Sequence, residues 1–355
     1  MEIVTLPAVG LSSGKKIAFL RGFIQSYCAA KKHFRNNPPH AALAMGGFTS
    51  APPLLAAKPF GAQIFLHESN TIPGRANRWL SRVVHQAFVG FPQAASRLHT
   101  RIVTTTGTPV RPEFQPRDAA VCRAALGLDP ARPVLLVVGG SQGATGVNNL
   151  LVNSLSLWKT DLQFLHFTGA ADAERVRRAY VEKNLRAVVH PFFLEMEMAL
   201  GAATVAISRA GASSLAELAA MRVPAVLIPF PAATDNHQFF NAQAFTETGA
   251  AQLLEQKNAT PESLVSLVSD LIANATAREK MQTALAKWHA PKAAEEIAEV
   301  ILRAVGVPAV KNSKSQVPSS KETSNSHHQI ALGLGAVGIW MLPLLWSLEL
   351  GVWNL

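Results

Sequence analysis

Residues 134–149 read VLLVVGGSQGATGVNN, and this stretch decides the fold. Five consecutive aliphatic residues suit a strand buried on both faces of a parallel sheet. Gly139, Gly140 and Gly143 then break the run, and the residues after them open a helix. The turn has no GxGxxG spacing, which excludes a dinucleotide fingerprint, and no GK[ST], which excludes an ATP or GTP P-loop. What remains is a small-residue loop whose free N–H groups, with the helix dipole behind them, can receive a diphosphate. Ser141 adds a hydroxyl donor to that loop.

A second cluster, SRAGASSLAE at 208–217, follows about two βα units later and has the same logic. Residues 204–207 predict a strand, 208–212 a small-residue turn, and Ser213 or Ser214 the cap of the next helix. Glu217 then lies about one turn in, where a carboxylate can accept two hydrogen bonds from a ribose diol. A surface glutamate favoured by the helix dipole is the plainer alternative. Residues 229–231 (PFP) lead into Asp235, Asn236, His237, Gln238 and Asn241, polar side chains suited to sugar hydroxyls. Arg111 stands at a junction from which it could reach a phosphate.

Working outward, strands and helices alternate, which predicts parallel sheets covered on both faces. In the first part, strands are expected at 41–45, 63–66, 86–89 and 102–105, with helices at 17–32 and from 75. Gly46-Gly47-Phe48 and His67-Glu68-Ser69-Asn70 fall at strand ends facing the same cleft. In the second part, strands are expected at 134–138, 163–167, 187–190, 204–207, 225–228 and 251–254. Helices are expected at 261–273, 277–288 and 291–305. Residues 310–329 are Ser-rich and polar, a linker composition without a packable face. Residues 330–348 (IALGLGAVGIWMLPLLWSL) carry no charge and just reach the length of a membrane span.

The net charge of +10 resides in residues 1–111, which hold thirteen Lys and Arg against Glu2 and Glu68. A basic first domain points to an anionic partner, a membrane surface or a lipid diphosphate. Nucleic acid is disfavoured as a partner because no stacking aromatics interleave the basic residues. Two cysteines, Cys28 and Cys122, make neither a disulfide framework nor a metal site and favour a reducing compartment. No secretory leader opens the sequence.

Six strings together resemble the MurG family of bacterial UDP-N-acetylglucosamine transferases. They are MGGFTSAPPLLAA (45–57), HESNTIPGRANRWLSR (67–82), TGTPVRPEF (106–114), VVGGSQGATGVN (137–148), SRAGASSLAELAAMRVPAVLIPFP (208–231) and DNHQFFNAQAFTETGAA (235–251). The resemblance implies an α/β fold of GT-B type, two Rossmann-like domains facing a cleft. It divides the chain into an acceptor- and membrane-facing domain at 1–111 and a UDP-GlcNAc domain at 112–289. A helix at 290–305 would pack back toward the first domain, followed by the linker at 306–329 and the apolar tail at 330–355. It implies an inverting hexosyltransferase that moves GlcNAc from UDP-GlcNAc to the C4 hydroxyl of undecaprenyl-diphospho-MurNAc-pentapeptide, in peptidoglycan synthesis. No cofactor and no metal is expected. The site of action would be the cytoplasmic face of the membrane, with the tail as a candidate anchor.

Carried over by position, Arg111, Ser141 and Gly143 would hold the diphosphate, Glu217 the ribose and Phe193 the uracil. Ala212, Ser213 and Ser214 would close on the donor, and His237 and Gln238 would read the GlcNAc hydroxyls. Gly46, Gly47 and Asn70 would line the acceptor side, with His67 and Glu68 as candidates for the base. The family's opening strand and GGTGGH-type loop have no counterpart, since Met1 matches a point well inside the first domain. A translation start upstream of Met1 accounts for this most simply. A true truncation is the alternative; it would expose a sheet edge and leave a UDP-sugar binder with impaired catalysis. A UDP-GlcNAc 2-epimerase on the same fold is a third reading, against which HESNTIPGRANRW and the basic first domain argue.

Overall fold

The computed structural model describes residues 4–7, 16–140, 143–158, 161–307 and 339–341. Its first parallel sheet contains β1 (Ala41–Ala44), β2 (Gln63–Glu68), β3 (Gln86–Val89) and β4 (Val103–Thr105). Helices α1 (Lys16–Asn36), α2 (Ala51–Ala57) and α3 (Arg75–Leu80) connect or flank these strands. A crossover segment with α4 (Ala119–Ala125) leads to the second sheet.

That sheet is built from β5 (Val134–Val138), β6 (Gln163–Phe167), β7 (Ala187–His190), β8 (Val205–Ser208), β9 (Ala225–Leu227) and β10 (Gln252–Leu253). Between them run α5 (Thr145–Ser154), α6 (Ala173–Glu182), α7 (Met196–Ala202), α8 (Ala212–Met221) and α9 (His237–Glu247). Helices α10 (Pro261–Ala273), α11 (Ala275–Trp288) and α12 (Ala293–Ala304) follow, and a last strand, β11, is Ile339–Met341.

Local chemistry accounts for several boundaries. Helix α10 starts at a capping box: Thr260 Oγ1 accepts from the Ser263 N–H, and Ser263 Oγ accepts from the Thr260 N–H. Pro261 occupies the first helical position, where its missing N–H costs nothing. Asp118 caps α4 by accepting from the N–H groups of Ala120 and Val121. Helix α8 departs from expectation. Its N-cap is Gly211, and neither Ser213 nor Ser214 caps it, because both already lie inside the helix.

The second sheet has the order β10-β9-β8-β5-β6-β7, all parallel. The chain therefore builds outward from β5 in one direction, returns, and builds outward from β8 in the other. The carboxyl ends of β5 and β8 meet at Val138 and Ser208, which are register partners. Such a reversal opens a crevice beyond the strand ends, where open α/β sheets bind ligands.

The first sheet has the order β11-β1-β2-β3-β4. One of its faces packs on α1 and α2 through Ala30, Phe34, Leu54, Ile64 and Leu66. The other face receives α12, whose Ile297 and Ile301 bury against Leu43, Phe65 and Phe88. These two isoleucines sit four apart on one helical stripe, so the chain's late helix closes its earliest sheet. β11 pairs in parallel with β1, Ala41 opposite Ile339 and Leu43 opposite Met341, giving that edge of β1 backbone partners.

Three residues of the apolar run that reaches spanning length are thus a strand and not a helix; the rest of 330–355, and the linker from 308 onward, lie outside the described residues. Among the described residues no helix is long and apolar enough to cross a membrane.

The two sheets meet through an aromatic cluster. Phe91, past the end of β3, sits 5.3 Å from Trp288 and 6.0 Å from Phe245, and Trp288 stacks on Phe245 at 4.5 Å. Trp288 Nε1 also donates to Thr248 Oγ1 at 2.8 Å. Gly107, with φ +78°, passes so near Ala290 that a Cβ would stand 2.3 Å from the Ala290 methyl.

Candidate active site

The loop after β5 is as tight as its glycines suggest. Gly143 has φ +76°, and a Cβ there would lie 2.3 Å from the Thr168 carbonyl oxygen. A Cβ on Gly139 would meet the Ala144 N at 2.6 Å. Helix α5 then begins with no side-chain cap, as does α8 from the neighbouring strand. Two helices of ten residues therefore start side by side at the strand reversal, and their N-cap residues, Ala144 and Gly211, offer no side-chain acceptor to the first turn, a disposition suited to anions. Ser141 lies outside the described residues.

The turn after β8 is braced from below. Arg209 is buried, and its guanidinium donates to the carbonyls of Ile228 (3.0 Å) and Pro229 (3.2 Å) and to Gln256 Oε1 (2.8 Å). It also lies 5.4 Å from the centroid of Phe230. Burial without a carboxylate lowers its pKa to about 10, so it remains a cation at neutral pH. Gln238 Oε1 accepts from the N–H groups of Ala210 (3.3 Å) and Phe230 (3.0 Å), joining the 208–212 turn to the PFP turn. In the sequence Arg209 reads as one more member of a small-residue turn.

Glu217 faces the same crevice from α8. Burial pushes its pKa up to about 7, Arg111 pulls it down, and Glu197 pushes it further up. Arg111 Nη2 is 3.7 Å from Glu197 Oε2, and its guanidinium lies 5.0 Å from the Phe114 ring centroid. The structure thus brings Arg111 and Glu217 together and adds a second carboxylate, Glu197 in the first turn of α7. Nothing in the sequence separates Glu197 from an ordinary helix-start glutamate.

Phe193, beyond β7, stacks on Phe167 at 5.0 Å and 10°, with His190 at 5.5 Å. His237 opens α9 with Nδ1 2.7 Å from the Thr234 carbonyl. Asp235 does not face the crevice alone; Arg78 donates to it at 2.6 Å from across the domains.

On the opposite wall, Gly46 (φ +104°) and Gly47 (φ +76°) make the turn after β1. His67 and Glu68 end β2, and both are buried. His67 Nε2 is 2.9 Å from the Gly107 carbonyl, and burial lowers its pKa. The Glu68 carboxylate accepts four hydrogen bonds, from Asn70 N and Nδ2 and from Gly74 N and Asn77 Nδ2. A carboxylate with its acceptor sites filled, and a histidine kept neutral under a backbone carbonyl, are tied into the loop. Asn70 in turn accepts from Asn241 Nδ2 at 2.9 Å, so the acceptor-side loop is bonded directly to the donor-side domain. Asn241 is consequently occupied between the domains and is not available to a sugar hydroxyl.

Comparison with known proteins agrees with this geometry. Residues 1–89 match the glycosyltransferase family 28 N-terminal domain, and residues 134–297 match its C-terminal domain. A UDP-N-acetylglucosamine–N-acetylmuramyl-(pentapeptide) pyrophosphoryl-undecaprenol N-acetylglucosamine transferase from Moorella thermoacetica is 36% identical over 285 residues, covering 78% of this chain and 77% of the relative. The chain belongs to the MurG family. The crystal structure of Acinetobacter baumannii MurG superposes with a TM-score of 0.64 at 28% identity, over 83% of this chain and 82% of that one. A putative UDP-N-acetylglucosamine 2-epimerase from Listeria monocytogenes superposes at 0.61 with 15% identity, over 83% and 82% of the two chains, a likeness of fold alone. The architecture is therefore the GT-B type, and MurG membership assigns the chain to the hexosyltransferases.

Proposed function

We propose that this chain transfers N-acetylglucosamine from UDP-GlcNAc to the C4 hydroxyl of undecaprenyl-diphospho-MurNAc-pentapeptide, the step from lipid I to lipid II in peptidoglycan synthesis. Membership of the MurG family supports the reaction. The observation that carries the donor site is the convergence of Glu217, Arg111 and the uncapped starts of α5 and α8 at one strand reversal.

On this proposal residues 112–289 hold the donor and 1–111 face the acceptor, with 290–305 returning to the first sheet. Glu217 accepts from the ribose hydroxyls, and Phe193 lies at the uracil. Arg111, Ser141 and the Gly143 loop take the diphosphate, and Ala212–Ser214 close over it. His237 and the amide of Gln238 contact the GlcNAc hydroxyls. The acceptor O4 attacks C1 opposite the departing UDP, and its hydroxyl proton passes to the leaving diphosphate or to water. The C1–O bond to the β-phosphate breaks, UDP leaves with the electron pair, and the anomeric centre inverts. Each preorganised donor on the leaving diphosphate contributes on the order of 3 kcal/mol to the transition state. Gly46, Gly47 and Asn70 bound the acceptor, and His67 and Glu68 shape that wall by holding the 67–77 loop.

The acceptor is a lipid, and α1 supplies a surface for its membrane. Ile17, Leu20 and Ile24 are exposed along one stripe of α1, which also carries Lys16, Arg21, Lys31, Lys32 and Arg35. Apolar side chains flanked by cations suit an anionic bilayer surface. The deciding experiment is turnover of labelled UDP-GlcNAc with a lipid I analogue. Incorporation of label into the lipid is expected. UDP binding without any transfer would leave a UDP-sugar binder and overturn the proposal.

A further inference from the structure

Glu197 has a role in the donor site that no motif marks. Its Oε2 is buried and has no hydrogen-bond partner among the described residues. The charge it faces is Arg111 Nη2 at 3.7 Å, too long for a hydrogen bond. Arg111 itself is 61% exposed in its side chain and sits on the segment joining the two domains, with its guanidinium against the Phe114 ring. A buried carboxylate normally takes a close, hydrogen-bonded cation. Here the pair is loose, and the same guanidinium is the expected ligand of the donor diphosphate.

We propose that Glu197 is the resting counter-ion of Arg111, a carboxylate that holds the guanidinium at the crevice mouth and releases it to the diphosphate of UDP-GlcNAc. A diphosphate offers more charge and better geometry than one carboxylate at 3.7 Å, so the exchange runs toward the ligand. Glu197 is then a positioning residue whose cost appears in donor affinity. The charged groups acting on Glu217 are the same two, Arg111 from the interdomain segment and Glu197 from α7. Removing the Glu197 charge therefore also makes Glu217 easier to ionise, which favours the ribose contact.

The inference rests on the donor-site reading above, and titration of purified full-length protein with UDP separates the two. Absence of UDP binding by the wild type would defeat that reading. Given binding, Glu197→Gln is expected to tighten UDP severalfold and to move the acid limb of the affinity–pH profile downward. Glu197→Asp, which keeps the charge but withdraws it by one methylene, is expected to give a smaller gain. At a pH above the Glu217 titration, where loss of the Glu197 charge no longer changes Glu217, the gain from Glu197→Gln should vanish in an Arg111→Met background. A gain that persists there would mean a diffuse field effect and overturn the exchange. Weaker or unchanged binding in Glu197→Gln would mean that Glu197 contacts the ligand itself or only supports α7, and would overturn it equally.

Discussion

Asn241 and Thr71, one in each domain, share a bidentate contact: Asn241 Oδ1 accepts from both the N–H and the Oγ1 of Thr71 at 2.9 Å. The Asn241 Nδ2 donates to Asn70 Oδ1 and to the Ala210 carbonyl. One fully buried amide thus bonds the acceptor-side loop to the turn after β8. Replacing it by Leu would strand the Thr71 N–H and the Ala210 carbonyl, at about 1–3 kcal/mol for each buried group. Asn241→Leu is expected to lower the melting temperature and to lower kcat/KM by more than UDP affinity, because the two walls lose their register. Calorimetry and paired kinetics on the variant check this. An unchanged melting temperature would remove Asn241 from the interdomain contact.

The raised pKa of Glu217 makes a signed statement about pH. The folded value of about 7 exceeds the ordinary 4.5, so the folded state favours the neutral acid. Stability from this group is therefore full below about pH 4.5 and is lost as pH rises through 7. Ribose binding has the opposite preference, since the carboxylate is the better acceptor. Affinity for UDP should rise up to about tenfold between pH 6 and 8 as the group ionises. Glu217→Gln should bind weakly and without that slope, which a UDP titration at several pH values would reveal. A slope surviving in Glu217→Gln would transfer the effect to another group.

Much of this architecture is legible in the chain itself. The aliphatic run at 134–138 declares a buried parallel strand, because it is only five residues long and ends at once in glycines, which suits a strand and not a helix. Glu217 stands out because a small-residue turn precedes it on the same strand-to-helix unit. Other features depend on partners far along the chain. The four bonds of Asn241 reach residues about 30 and 170 positions away, so its polar neighbourhood reads as sugar recognition. Glu68 looks like a base until the loop folds back to fill its acceptors. Ser213 and Ser214 resemble caps, yet the turn ends sooner, at an extended Gly211, and the helix begins at Ala212 with both serines already inside it. The run containing 339–341 has spanning length by composition, and only the edge of β1 explains its strand.

Glu68 offers a clean separation between holding a loop and doing chemistry. Its carboxylate receives the N–H groups of Asn70 and Gly74 and the amides of Asn70 and Asn77. Glu68→Gln replaces one acceptor oxygen by an NH2 facing donors, and two of these bonds cannot re-form. We expect a loss of stability of about 2 kcal/mol or more, read by denaturant unfolding. The acceptor KM should rise with it. A residue acting as the base would show the reverse pattern, with kcat falling by orders of magnitude and unfolding unaffected.

Gly143 tests the loop after β5 most directly, because two independent constraints meet there. Its φ of +76° lies in the left-handed region, which costs an L-residue roughly 1 kcal/mol. A Cβ would also press to 2.3 Å from the Thr168 carbonyl and 2.8 Å from Gly169 Cα, both backbone atoms that cannot step aside. Gly143→Ala must therefore push the loop off β6's end and tilt the start of α5, where the diphosphate is expected. UDP affinity should fall at least tenfold while the second domain keeps its core, since the clash lies above the sheet. Near-native UDP affinity in a folded Gly143→Ala protein would mean that the diphosphate is not held by this loop.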